Sequence, residues 1–377
     1  MNPNNRLFSV PFFALVVVMT LFLSLSASDA EESGPGGGMA IPARFDSAGE
    51  FVGGIAAVKA GDKWGFIGES GVFIIEPRFD DAGSFSGSLA PVKTGGTWGY
   101  VDKTGRLVID GLDFVGVFAE GLASVEIGNK WGWVNDAGKV VIEPQFDDAL
   151  PFSNGLGRVK VGEKWGCIDR TGKIVIEPQF DDIWGFFEGL APVRIGEKWG
   201  FIDATGAVVI EPRFDHVWTF SGGLAAVKTG KSCGYVDTVG LFVIEPTYRD
   251  ALSFSDGLAR VKAGRKWGLI DTSGGTVVKS RYDFIGDFSE GLAWVLAGKE
   301  FGYIDRMGTV VIGPSYANAG DFSEGLARVD AGGKWGFIDK TGAYAIQPVY
   351  EDARGFSEGM AAVKFNGKWG YIKNPLK

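Results

Sequence analysis

The sequence predicts an all-β tandem repeat array. Three observations point there: a motif that recurs about every 34 residues, alternating polarity inside each copy, and turn-forming residues between the alternating runs. The motif is an aromatic residue followed by Gly. "KWGFID" at 63–68 recurs as "KWGCID", "KWGFID" and "KWGLID", with anchors at Trp64, Trp98, Trp131, Trp165, Trp199, Cys233, Trp267, Phe301, Trp335 and Trp369. Successive anchors are 34 residues apart, except for 33 between Trp98 and Trp131, where "VIDGLD" (108–113) replaces the usual "VIEPQFD". Ten copies occupy residues 41–377.

Each copy carries three runs expected to be strands. In "LARVKAG" (258–264), Ala259 and Val261 share one face while Arg260 and Lys262 share the other, the period of a half-buried strand. Gly264 and the polar residues after it predict a tight turn into "KWGLID". Turns such as "DRTGK" (169–173) follow, in which Asp can cap backbone N–H groups and Gly supplies a positive φ. The third run ends in "VVIEP", where Pro is expected to stop the strand because it has no N–H to donate. "FDDAxxFSEG" reads as a looped return. The unit is thus a three-stranded antiparallel meander plus a connector, too small to bury a core alone, so neighbours must stack. Three-stranded units of this length predict an open solenoid or superhelix. A β-propeller, whose blades usually have four strands and roughly 40 residues, is the alternative.

"KWGFID", "FSEGLA" and "VVIEP" at fixed offsets resemble the bacterial WG-repeat (KWG-repeat) family, and the resemblance covers all ten copies. It implies an all-β repeat array, often exported, with no established common enzymatic activity. Cys233-Gly234 and Phe301-Gly302 depart from the Trp-Gly pattern and are expected to mark weaker points in the stack, since a smaller side chain leaves volume to fill.

The amino-terminal thirty residues differ from the rest. Arg6 precedes the apolar run "LFSVPFFALVVVMTLFLSLSA", and Ser28 and Ala30 stand at −3 and −1 before Glu31, the pattern of a cleaved secretory signal. An uncleaved anchor is the rival reading; Pro11 and the small-residue exit favour cleavage. Residues 31–40, beginning "EESGPGGG", read as a Gly-rich linker. No later stretch is apolar enough to span a bilayer. The expected location is the periplasm, the cell surface or the medium.

A net charge of −9 makes nucleic acid a poor partner. Two Cys, at 167 and 233, exclude a disulfide framework and are expected to be buried free thiols. One His, His216, leaves most general-base and zinc chemistry without its commonest residue. No cofactor and no metal is expected.

Three motifs invite chemistry. "AAVKTGKSCG" (225–234) imitates a phosphate-binding loop, but such loops lead into a helix and this one leads into "YVDTVG", another strand; no nucleotide is expected. "GFSEG" (355–359) imitates a nucleophile elbow at Ser357, yet the only His lies upstream of it, the wrong order for that hydrolase fold. The pairs Asp80-Asp81, Asp147-Asp148 and Asp181-Asp182 raise glycosidase or calcium chemistry, but they decay in later copies, as solvated, capping residues would. The anchor Trp residues read as core packing, with a sugar-stacking ladder as the alternative.

One position varies in a patterned way. Two residues before the Phe of "FSEG" stand Gly49, Gly83, Gly116, Leu150, Trp184, Trp218, Leu252, Gly286, Gly320 and Arg354. Leu150, Trp184, Trp218 and Leu252 form a candidate partner-binding ridge across four consecutive copies, unless they tuck into the core. Trp294 is a second candidate, at a position held elsewhere by Arg158, Arg260, Arg328 or Ala57. The function expected is a non-enzymatic scaffold for a protein or cell-envelope component. A glycan-binding module or glycan-active enzyme is the alternative.

Overall fold

The computed structural model describes residues 38–377. The expected signal (1–30) and most of the expected linker (31–37) lie outside the described residues. The described chain forms strands throughout, with no helix among its elements.

Its strands group into ten four-stranded antiparallel sheets. In the first blade, Ser47–Ala48, Ile55–Ala60, Lys63–Gly68 and Phe73–Phe79 are hydrogen-bonded in that order. The three-stranded reading is therefore corrected: the supposed connector supplies a strand of its own. In the second blade Asp81 pairs with Lys93 and Ala82 with Val92. Two paired residues are too few to show an alternating pattern, which hid the strand.

The expected stop at Pro is corrected as well. Phe73–Phe79 runs straight through Pro77. Its register is Phe66 with Ile75 and Trp64 with Phe79, so Glu76, Pro77 and Arg78 bulge opposite Gly65 alone. A Cβ on Gly65 would lie 2.6 Å from the Ile75 carbonyl oxygen and 2.7 Å from the Pro77 nitrogen. The Gly of the Trp-Gly pair therefore permits the bulge, and the bulge on an edge strand admits a residue without an N–H. The 33-residue copy keeps this plan with a shorter bulge. Tyr100 pairs with Ile109 and Trp98 with Leu112, and Gly111 turns the chain at φ 72°.

An open array is the third correction. Ile41–Phe45 pairs not with its sequence neighbours but with Lys368–Lys373, as the fourth strand of the tenth blade. Ile41 faces Tyr371 and Phe45 faces Trp369, the same register as in the other blades. The ends meet, and the molecule is a closed ten-bladed β-propeller. Closure removes the bare sheet faces that an open stack of such units would leave at its two ends.

The core lies between blades. The second and third strands are buried on both faces; Ala56, Val58, Phe66 and Ile67 are each 0% exposed. Each blade-to-blade seam has its own apolar cluster. The closing seam brings Ile41, Phe45, Ala48, Phe51 and Val58 against Met360, Ala362 and Tyr371.

Candidate functional site

Most of the polar residues that invited chemistry are engaged in holding blades together. Asp80 accepts a hydrogen bond from the Gly95 amide of its own blade (2.7 Å) and pairs with Lys63 of the preceding one. The same link recurs at Lys130–Asp147–Gly162, Lys164–Asp181–Gly196, Lys198–Asp215–Gly230, Lys266–Asp283–Gly298 and Lys368–Asp46–Gly61. The Lys ammonium, then the Gly amide, holds each of these carboxyls below the ordinary carboxylate value. The second acid of each pair turns back on its own chain, as Asp148 does on the Ala149 amide at 2.7 Å.

The two lures resolve in the same way. Gly230, the glycine of the phosphate-loop imitation, donates its amide to Asp215 between the strands Ala225–Thr229 and Ser232–Val236. Ser357 donates its hydroxyl to the Phe51 carbonyl (2.8 Å), and Glu358 accepts from the Gly53 and Gly54 amides across the closing seam. Elsewhere Ser153, Ser289 and Ser323 bond the next blade's Phe carbonyl. Cys167 and Cys233 are free and buried, and burial pushes the Cys167 thiol up to about 12. Among the described residues no group of three His, Cys, Asp or Glu side chains converges as a metal site. The anchor Trp residues are mostly half-buried, and several carry a cation over one ring face, such as Arg328 over Trp335 at 5.0 Å.

The variable position proves to be half of a pair. Its residue packs beside the second-strand residue eight positions later; in blades four and seven both are large, Leu150 with Arg158 and Leu252 with Arg260, and in most of the others only one is. Trp184 faces Pro192 and Trp218 faces Ala226, each through a 2.9 Å backbone hydrogen bond. Gly286 lies under Trp294, where a Cβ would fall 2.4 Å from the indole. Gly320 lies under Arg328, and Arg354 faces Ala362. In blades one to three both members are small: Gly49 with Ala57, Gly83 with Pro91, Gly116 with Ser124. The ring therefore carries a band of large side chains on blades four to ten and a bare arc on blades one to three.

Leu150, Trp184, Trp218 and Leu252 stand at one register in blades four to seven, and Trp294 joins the band from the neighbouring strand of blade eight. All five are half-buried. Trp184 meets Trp199 at 5.2 Å and His216 at 5.6 Å, and His216 meets Trp218 at 4.6 Å, all edge-on. The sole His thus bridges the aromatics of blades five and six. Burial first, then Lys228, lowers its pKa.

The band continues into a cleft of about 660 Å³ that the sequence reading passed over. Its walls include Trp294, Asp321, Arg328, Arg354, Trp369 and Glu50, drawn from blades eight, nine and ten and from the start of blade one. Gly320 leaves the space open, and the Tyr303 hydroxyl fixes its carbonyl at 2.8 Å. Loss of solvation, then the Asp287 carboxylate, pushes Asp321 up; the Trp294 indole, Arg328 and Arg260 pull it back. Reading the variable position together with its partner eight residues on would have flagged Arg328 and Arg354.

The family model for the WG containing repeat matches the chain ten times in succession, from 35–64 through 335–369. The chain belongs to the WG-containing-repeat family. No curated protein matches it in sequence. Among solved structures, a eukaryotic initiation factor aligns over 86% of this chain and 100% of its own, at 12% identity and a TM-score of 0.51, a likeness of fold. PorZ, a surface component of the type-IX secretion system of Porphyromonas gingivalis, aligns over 88% of this chain and 59% of its own, at 8% identity and a TM-score of 0.29. Hsv2p of Kluyveromyces lactis aligns over 60% and 92%, at 11% identity and a TM-score of 0.34.

Proposed function

We propose that this WG-repeat propeller is an exported, non-enzymatic scaffold that binds a protein or cell-envelope component across the band of large side chains. One observation carries the reading. The recurrent acids, serines and glycines have structural partners, whereas the band departs from the repeat and gathers half-exposed aromatics on consecutive blades. Clustered aromatic side chains of this kind supply much of the energy at binding surfaces. Export rests on the pattern of residues 1–30; among the described residues no helix is long and apolar enough to cross a membrane.

The test is proximity labelling in the native cell with the wild-type chain and with Trp184→Ala/Trp218→Ala, each checked for an intact fold by circular dichroism. A partner enriched by the wild type and lost with the double variant is the expected result. Equal enrichment by a folded double variant would sink the band as the binding surface. Incubation with peptidoglycan and common polysaccharides addresses the glycan alternative: cleavage products would overturn the non-enzymatic reading, and retention without cleavage would make the band a lectin-like surface.

A further inference from the structure

The cleft at blades eight, nine, ten and one holds charges of both signs that do not pair with each other. The Arg354 guanidinium lies over the Trp369 ring at 5.5 Å, lines the cleft, and within the described residues makes neither a side-chain hydrogen bond nor an ion pair. Arginines on the repeated framework behave differently. Arg44, Arg78 and Arg213 donate to the carbonyls of Gly71, Gly105 and Gly240, and Arg328, also in the cleft, donates to the Ala353 carbonyl. Glu50 and Asp321 line the same space, and neither forms an ion pair within the described residues. Asp352 is there too, turned back onto the Ala353 amide at 2.8 Å.

These features select a ligand class. A planar guanidinium with free donors suits a carboxylate, which it can grip through two parallel hydrogen bonds. Three carboxylates in the same walls would repel a polyanion such as a nucleotide or a phosphorylated sugar. They would instead attract an ammonium group on the ligand that brings the carboxylate. Trp294 and Trp369 line the same space and give it apolar surface between the two charges. The volume falls within the roughly 300–1,000 Å³ typical of small-molecule sites.

We propose that this cleft binds a zwitterionic ligand of the short-peptide class, with its carboxylate on Arg354, its ammonium toward Asp321 and Glu50, and its apolar part against Trp369 and Trp294. The site adjoins the proposed partner surface and shares Trp294 with it, while Arg354 and Asp321 lie outside the apolar ridge of Leu150, Trp184, Trp218 and Leu252.

Titration calorimetry of the whole chain at low salt with Ala-Ala, its C-terminal amide and its N-acetyl derivative tests the assignment. Ala-Ala should bind, and each blocked form should bind about tenfold or more weakly, the usual scale for losing one charge-assisted pair. Arg354→Gln should erase the difference between acid and amide, and Asp321→Asn the difference between free and acetylated amine. Arg354→Lys, which keeps charge but not the fork, should fall between. No binding of Ala-Ala, or binding indifferent to both blocking groups, overturns the proposal.

Discussion

Gly200 shows how far a single residue governs this ring. It follows Trp199, and a Cβ there would meet the Ile210 carbonyl oxygen at 2.3 Å and the Pro212 nitrogen at 2.7 Å. Both are backbone atoms of the bulged strand and cannot swing aside. Gly200→Ala should therefore destabilise the protein by roughly 3 kcal/mol, the range for overpacking a closed core. Gly355→Ala, where nothing lies within 4 Å, should stay within about 0.5 kcal/mol of wild type. Equal denaturation midpoints for the two variants would show that the Trp-Gly glycine is not held by this close approach.

Among the elements, the junction between consecutive blades is where charge matters. Six Lys–Asp–Gly links tie neighbouring hairpins, and a second set of acids caps turns, as Asp102 does by accepting from Thr104 and Arg106. These carboxyls lie below the ordinary value of 3.8, with Asp102 at about 2. A depressed folded-state pKa contributes stability that is present above the unfolded value and lost as pH falls through the folded one. The melting temperature should thus hold steady at neutral pH and drop between 3.8 and about 2, steeply because many groups titrate together. A flat profile across that window in calorimetry would refute the linkage. Four seams lack the full link: Thr97 stands in for Lys beside Asp113, Glu351 stands in for Asp beside Lys334, and two seams lose both partners at once, Ser232 with Arg249 and Glu300 with Ala317, in the blades that also carry Cys233 and Phe301 as anchors. Cys233 is nevertheless 1% exposed, with Trp218 and Tyr248 packed against its cluster.

The whole molecule depends on the strand Ile41–Phe45. Ile41 and Phe45, each 1% exposed, complete both the tenth sheet and the closing core. Deleting residues 39–45 removes two fully buried side chains, about 2–3 kcal/mol each, and bares the Lys368–Lys373 edge to other chains. The expected outcome is a lower melting temperature with self-association in size-exclusion chromatography, both reversed by adding a peptide of residues 39–46. A monomer that melts like the full chain would contradict closure by this strand.

The sequence by itself determined the repeat, its all-β character and the hairpin turns, because these are local and recur ten times. It also held the evidence for closure, unread. "IPARFD" at 41–46 matches "IEPRFD" at 75–80, the end of a copy, and "KWGYI" at 368–372 is followed by "KNPLK" in place of that ending. What only the tertiary structure decided is which strand completes the last blade, and which variable residues share a wall. Trp294, Arg328, Arg354 and Glu50 come from four blades, and Glu50 and Arg354 lie some three hundred residues apart in the chain. Period and polarity report what a residue does within its own strand. They carry no information about contacts made when a ring brings its two ends together.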